Sequence, residues 1–143
     1  MALASAIRDR VLIDAGPLVA ILAADDSQHD CCVEQVKLLR SPFFTTWPIL
    51  TEAAWLLRNT HDAIPRLLDL MQQNLLQCLE LDPDAASAIS ELAQKYHDLR
   101  PDFPDLTLVY SAGKHDLRTI FTLDRRDFCV YRDAKGRPFR LLP

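Results

Sequence analysis

Short apolar runs of three or four residues alternate along this chain with longer stretches in which apolar side chains recur at helical spacing. Val11, Leu12 and Ile13 form one such run with no polar position inside it, the pattern of a strand buried on both faces. Residues 43–46 read as a short strand, 75–81 as an extended apolar run suited to a strand, and 119–122 as another buried strand. Between them, residues 18–24 predict a short buried helix broken at Asp25 and Asp26. Ser27 is placed to cap a second helix that runs to about Arg40 and stops before Ser41 and Pro42. Residues 46–57 predict a long helix with Thr46 as cap and Pro48 in the first turn. Ile64, Leu67, Leu68 and Met71 space a helix over 62–73, and residues 83–97 carry one apolar face. After a proline-bounded turn at 100–104, residues 105–112 are apolar nearly all round and predict a deeply packed helix ending near Gly113. The remainder reads as an edge strand or hairpin, 128–131 against 139–142 around a turn at 134–137. Strands alternating with helices imply a three-layer α/β/α sandwich with a mostly parallel central sheet, in one domain over 1–143.

That pattern places Asp14 where a strand stops and a helix starts, with Gly16 for the turn and Pro17 for the first helical turn. Ligands of open α/β sheets bind outside this carboxyl edge; an Asp at that position also serves simply as a helix cap. Three further acids sit at comparable junctions: Glu52 in the helix after the second strand, Asp105 at the head of a buried helix, and Asp124 just past the strand at 119–122. Each has an ordinary alternative, as a solvated helix residue, a first-turn acid favoured by the helix dipole, or a turn former. Glu52 and Asp105 nevertheless interrupt strongly apolar segments, and an unpaired buried carboxylate is costly enough to need a partner.

Charge changes the picture at one end. The chain carries net charge −4, but residues 118–143 hold 7 Lys and Arg against 3 Asp and Glu, whereas residues 1–117 hold 9 against 17. Clustered basic residues suit a phosphate backbone and equally a solvated face. Cys31, Cys32, Cys78 and Cys129 show no C-x-x-C spacing, so they read as free thiols of a reducing compartment. The first ten residues lack the apolar run of a signal peptide, and no stretch approaches a membrane span, so a cytoplasmic protein without membrane contact is expected.

Four segments, 11–20, 45–57, 102–109 and 119–128, carry in order a resemblance to PIN-domain proteins of the VapC toxin ribonuclease type. The resemblance implies an acidic quartet of Asp14, Glu52, Asp105 and Asp124, with Thr122 as the hydroxyl preceding the last acid. The turn at 102–105 offers two carboxylates; the resemblance favours Asp105, with Asp102 as an auxiliary. His29 reads as an exposed helix-start residue rather than a substrate contact. Oxygen donors without thiolate or imidazole select Mg²⁺ or Mn²⁺, so the implied activity is metal-dependent RNA hydrolysis leaving a 5′-phosphate and a 3′-hydroxyl. The resemblance further implies a small antitoxin protein and a homodimer. Arg125 and Arg126, beside the last acid, are the expected RNA contacts.

Two alternatives share the fold: a non-catalytic RNA- or protein-binding PIN module, whose sign would be a missing acid, and an RNA-processing nuclease without an antitoxin. A receiver or phosphohydrolase domain also places an Asp after its first strand. A phosphohydrolase, however, needs a second Asp where this chain has Gly16, and a receiver needs a Lys where Asp124 stands.

Overall fold

The computed structural model describes residues 9–143, so the expectation about a leader falls mostly outside the described residues. Val11–Ile13 form β1, Phe43–Thr45 form β2, Leu76–Cys78 form β3, Thr119–Phe121 form β4 and Arg140–Leu142 form β5. All pair in parallel in the order β3-β2-β1-β4-β5. The three residues of β1, and Ile120 and Phe121 of β4, have essentially no exposed surface, as strands covered on both faces must. Burying each of these large side chains contributes about 1.5–3 kcal/mol, and truncating Leu12 to Ala would cost about 2–5 kcal/mol.

Seven α-helices are seen among the described residues: α1 (Ala15–Leu22), α2 (His29–Leu38), α3 (Trp47–Leu56), α4 (Ala63–Gln72), α5 (Ala85–Lys95), α6 (Phe103–His115) and α7 (Arg125–Phe128). Strand order reverses between β1 and β4, and right-handed crossovers on either side of such a reversal cover opposite faces of the sheet. On one face Leu18 and Ile21 of α1, Val36 of α2 and Leu70 of α4 line a cavity of about 150 Å³ together with Ile13, Phe43 and Leu76. The reversal also opens a crevice at the carboxyl ends of β1 and β4, the usual ligand position in such sheets.

The structure differs from the sequence reading in several places. Of the two C-terminal alternatives the edge strand forms, as β5 joins β4 in parallel at the end of the sheet, and the hairpin does not: Arg132 and Pro138 make a single antiparallel bridge and residues 125–128 are helical. Residues 129–131 continue the turn of α7, their amides donating to the Arg125 and Asp127 carbonyls, so 139–142 has no extended partner there; Asp133 closes the reversal that follows, its carboxylate accepting the amides of Lys135 and Arg137 and the Arg137 side chain. Gly136 supplies the positive φ the turn requires. α6 continues through Gly113 to His115, because the left-handed C-cap falls on Asp116. Gln28, not Ser27, precedes α2, with no side-chain cap. Thr46 takes the N-cap position of α3 without capping it. Its hydroxyl lies 2.7 Å from that of Thr107. The Thr107 proton goes to the Pro104 carbonyl at 2.6 Å, so Thr46 donates to Thr107 and fastens the start of α3 to the start of α6.

Candidate metal centre

Asp14 follows β1 in extended conformation, and its amide still donates to the Phe121 carbonyl of β4 at 2.9 Å. Its side chain is therefore held at the crevice, with 6% of its surface exposed. One carboxylate oxygen accepts the Ala15 amide at 2.8 Å, so Asp14 does cap α1. The other accepts the Thr122 hydroxyl at 2.8 Å, and the Thr122 oxygen in turn accepts the Asp124 amide at 3.0 Å. The cap and the ligand readings are thus compatible: capping occupies one oxygen and aims the group.

Asp105 comes from the head of α6. Asp102 is the N-cap, its carboxylate accepting the Asp105 amide at 3.2 Å, and Pro104 in the first turn needs no partner for its nitrogen. This geometry sends the Asp105 side chain inward, to 5% exposure. Its carboxylate accepts no hydrogen bond from any described residue. Glu52, half-buried on α3, completes a group in which one oxygen each from Asp14, Glu52 and Asp105 lies within 4.8 Å of the others. Asp102, Asp124, Leu56, Leu123 and the backbone start of α1 line the rest of a cleft of about 450 Å³.

Three carboxylates this close are poorly tolerated as anions. Burial raises the Asp14 pKa, and Asp102 and Asp124 push it further, against the lowering hydrogen bonds from Thr122 and Ala15. Glu52 is raised by burial, then by Asp102 and Asp14. Asp105 is pushed up to about 9, by burial first and then by Asp14, Asp102, Glu52 and Asp124. A divalent cation would relieve both causes, and oxygen donors alone suit a hard one. The residues present therefore fit a metal ion at Asp14, Glu52 and Asp105.

The structure brings five sequence-selected acids, Asp14, Glu52, Asp102, Asp105 and Asp124, to one cleft, with Thr122 hydrogen-bonded to the first. His29 is elsewhere, its Nδ1 lying 2.7 Å from the Ala20 carbonyl. Asp127, not selected from sequence, joins Asp105 and Asp124 in a second group of neighbouring acids. Its signal was its position three residues after Asp124, on the same first turn of α7. The basic end does not form one patch. Arg125 and Arg126 are exposed and follow the cleft acid Asp124 on α7, the Arg125 side chain donating to the Pro143 carbonyl; Arg137 is bound to Asp133. Arg140, paired with Thr119 at the opposite edge of the sheet, bonds Asp9.

A family model for the PIN domain matches residues 11–133. The chain is 26% identical over 136 residues to Ribonuclease VapC26 of Mycobacterium tuberculosis, covering 93% of this chain and all of that protein. Its fold resembles the crystal structure of Mycobacterium tuberculosis VapC20, a Sarcin-Ricin loop cleaving toxin, with a TM-score of 0.72 over 81% of this chain and 91% of that one, at 16% identity. With the acids gathered at the strand reversal and a family match spanning most of its length, the chain belongs to the PIN domain family.

Proposed function

We propose that this chain is an Mg²⁺- or Mn²⁺-dependent endoribonuclease and the toxin of a toxin–antitoxin pair. The observation that carries the reading is the trio Asp14, Glu52 and Asp105, whose oxygens lie within 4.8 Å of one another in an open cleft. The ribonuclease relative named above supports the choice of RNA as substrate.

When bound, the cation supplies Lewis acidity to the scissile phosphate and makes water a competent nucleophile near neutral pH. Asp14, Glu52 and Asp105 hold it. Thr122 and the Ala15 amide each donate to one Asp14 oxygen and so fix the orientation of the carboxylate. Asp102 sets the first turn of α6 and so the direction of Asp105. Asp124 stands at the exposed rim, where a carboxylate orients the attacking water or adds a ligand. Arg125 and Arg126 follow it and are placed to meet the RNA backbone. A small antitoxin protein and a second copy of the chain are the protein partners of this reading. Trp47, Trp55 and Phe103, more than half exposed, and Ile64 and Leu68 on the outer side of α4 are apolar surface that such partners would cover.

The test is incubation of the purified protein with structured RNAs in Mn²⁺ and in EDTA. Metal-dependent cleavage leaving 5′-phosphate ends, lost in Asp14→Asn, is the expected result. RNA that is bound in a gel-shift assay but stays intact at every metal concentration would replace the nuclease by a binding module.

A further inference from the structure

Beside its acids the cleft has an apolar side, for which a cation has no use. Leu56 lines it together with Glu52, one turn earlier on α3, yet remains half exposed. Trp55 precedes Leu56 and follows Glu52 by three residues, which makes it a neighbour of Glu52 on the helix surface. Its surface is 65% exposed. A single exposed aromatic needs no explanation, but this one has a cation fixed to it.

The guanidinium carbon of Arg58 lies over the Trp55 ring, 4.2 Å from its centroid. Its Nη1 donates to the Trp55 carbonyl at 3.0 Å, so the cation is anchored by the backbone of the residue it covers. Among the described residues no carboxylate pairs with Arg58. One face of the indole thus carries an uncompensated positive charge, beside an acidic cleft that repels the phosphates of any RNA. Burying that charge in an apolar protein interface would leave it without a counterion. A nucleotide brings a flat ring and an anion together, and aromatic and guanidinium planes are what splayed-out RNA bases stack on.

We propose that Trp55 is a base-stacking residue at the rim of the cleft: an unpaired nucleobase next to the scissile phosphodiester lies on the indole, and Arg58 neutralises the phosphate beside that base. The inference rests on the reading of the chain as a ribonuclease and deepens it by naming a residue that holds the substrate. Stacking adds affinity without placing another charge among the acids, and it accepts any base because every base has a π-face. Leu56 continues the apolar wall from Trp55 into the cleft toward Glu52. A protein partner seated on Trp55 would compete with RNA for it.

Tryptophan emission reads this contact directly. The chain has two tryptophans, so Trp47→Phe leaves Trp55 as the emitter, and Asp14→Asn in the same full-length chain keeps the RNA uncut. Titrated in Mg²⁺, a short unpaired oligoribonucleotide should quench that emission to saturation. The same strand made abasic should bind about 5- to 100-fold more weakly and leave the emission unchanged. In the otherwise wild-type chain, Trp55→Ala should raise KM by a similar factor at unaltered kcat, and Trp55→Phe should recover most of the loss. Equal quenching by the abasic strand, or an RNA affinity untouched by Trp55→Ala, would overturn the proposal. So would a dimer that Trp55→Ala separates in sedimentation while RNA affinity per chain holds, since Trp55 would then be a contact between copies. The quenching comparison keeps Trp55 in place, so it decides the matter even where Trp55→Ala fails to fold. Base-dependent quenching by a strand that wild type never cleaves would refute the nuclease and keep the stacking residue. Cleavage without such quenching would do the reverse.

Discussion

Asp105 and Asp133 are almost equally buried, at 5% and 8% exposure, yet the protein treats them in opposite ways. Asp133 receives the amides of Lys135 and Arg137 and the Arg137 guanidinium, with Arg118 at 3.5 Å. Burial alone would raise its pKa, but these donors outweigh it and hold the group below the usual carboxylate range. Asp105 receives nothing from the described residues and faces Asp14, Glu52, Asp102 and Asp124. One carboxylate is finished by its own chain and closes a turn. The other has its charge raised in cost and its oxygens left open, which is what a ligand for an external cation requires.

The largest test of this contrast exchanges each acid for its amide. Asp14→Asn, Glu52→Gln and Asp105→Asn should each lower metal-dependent RNA cleavage by at least about 10²-fold, since a hard-ion site loses charge and geometry together. Asp124→Asn should be milder. Asp133→Asn should do the opposite: its melting temperature should fall, because the arginines lose their anion, while cleavage per folded molecule stays unchanged. A normal rate in Asp105→Asn together with a dead Asp102→Asn would transfer the third ligand position to Asp102.

A second test adds the countercharge that the cleft's own side chains do not supply. An ion bound by the folded state only stabilises it by about 2.7 kcal/mol at about 100 times Kd, so added Mn²⁺ should raise the melting temperature of wild type. Asp105→Asn should respond far less and Asp133→Asn as fully as wild type. Equal responses in all three proteins would place the ion elsewhere.

How much of this was legible beforehand depended on the range of the interactions. The runs at Val11, Phe43 and Thr119 declared their strands because both-face burial is written into consecutive residues, and the acids at strand ends followed from that. The choice between edge strand and hairpin was not legible: Arg140–Leu142 looks the same whether it folds back on 128–131 or lies along β4, and it lies along β4 because 129–131 are wound into the turn of α7. The basic end misled for a related reason. A count of charges along a segment takes no account of Arg140 standing at the start of β5, opposite the cleft, or of Asp133 and Asp9 claiming Arg137 and Arg140. Asp102 was readable as a nearby acid, but its capping role depends on where α6 begins.

That division among the cations sharpens the comparison further. Arg125→Ala with Arg126→Ala should weaken RNA binding at every sequence and flatten the dependence of log K on log salt by about one unit for each phosphate no longer neutralised. Arg137→Ala, whose partner is Asp133, should instead lower the melting temperature and leave that slope alone. Should Arg137→Ala change the slope and the cleft pair not, the RNA path would run over the Asp133 turn.

The smallest effect concerns the metal-free protein and is the most direct measure of strain at the cleft. Asp105→Asn replaces a carboxyl group that the folded cleft keeps only by taking up a proton with an amide of nearly the same shape, and no described donor loses an acceptor, so the change should stabilise the metal-free fold by at least on the order of 1 kcal/mol. Asp14→Asn is less clean, because Thr122 donates to the oxygen that the substitution can convert to an amide nitrogen. The pH dependence carries the sign. The Asp105 pKa is raised in the folded state, so it costs stability above the unfolded value of about 4, increasingly as pH climbs toward about 9, and the cost vanishes as pH falls back. Metal-free wild type should therefore lose stability relative to Asp105→Asn between about pH 5 and pH 8. Asp133 has the opposite sign in a different window: its pKa is lowered, so its contribution is present above the unfolded value and lost only as pH falls below it. Chemical denaturation of the EDTA-treated proteins at several pH values measures both. If Asp105→Asn and wild type keep a constant difference across that range, Asp105 takes up no proton on folding and the contrast with Asp133 fails.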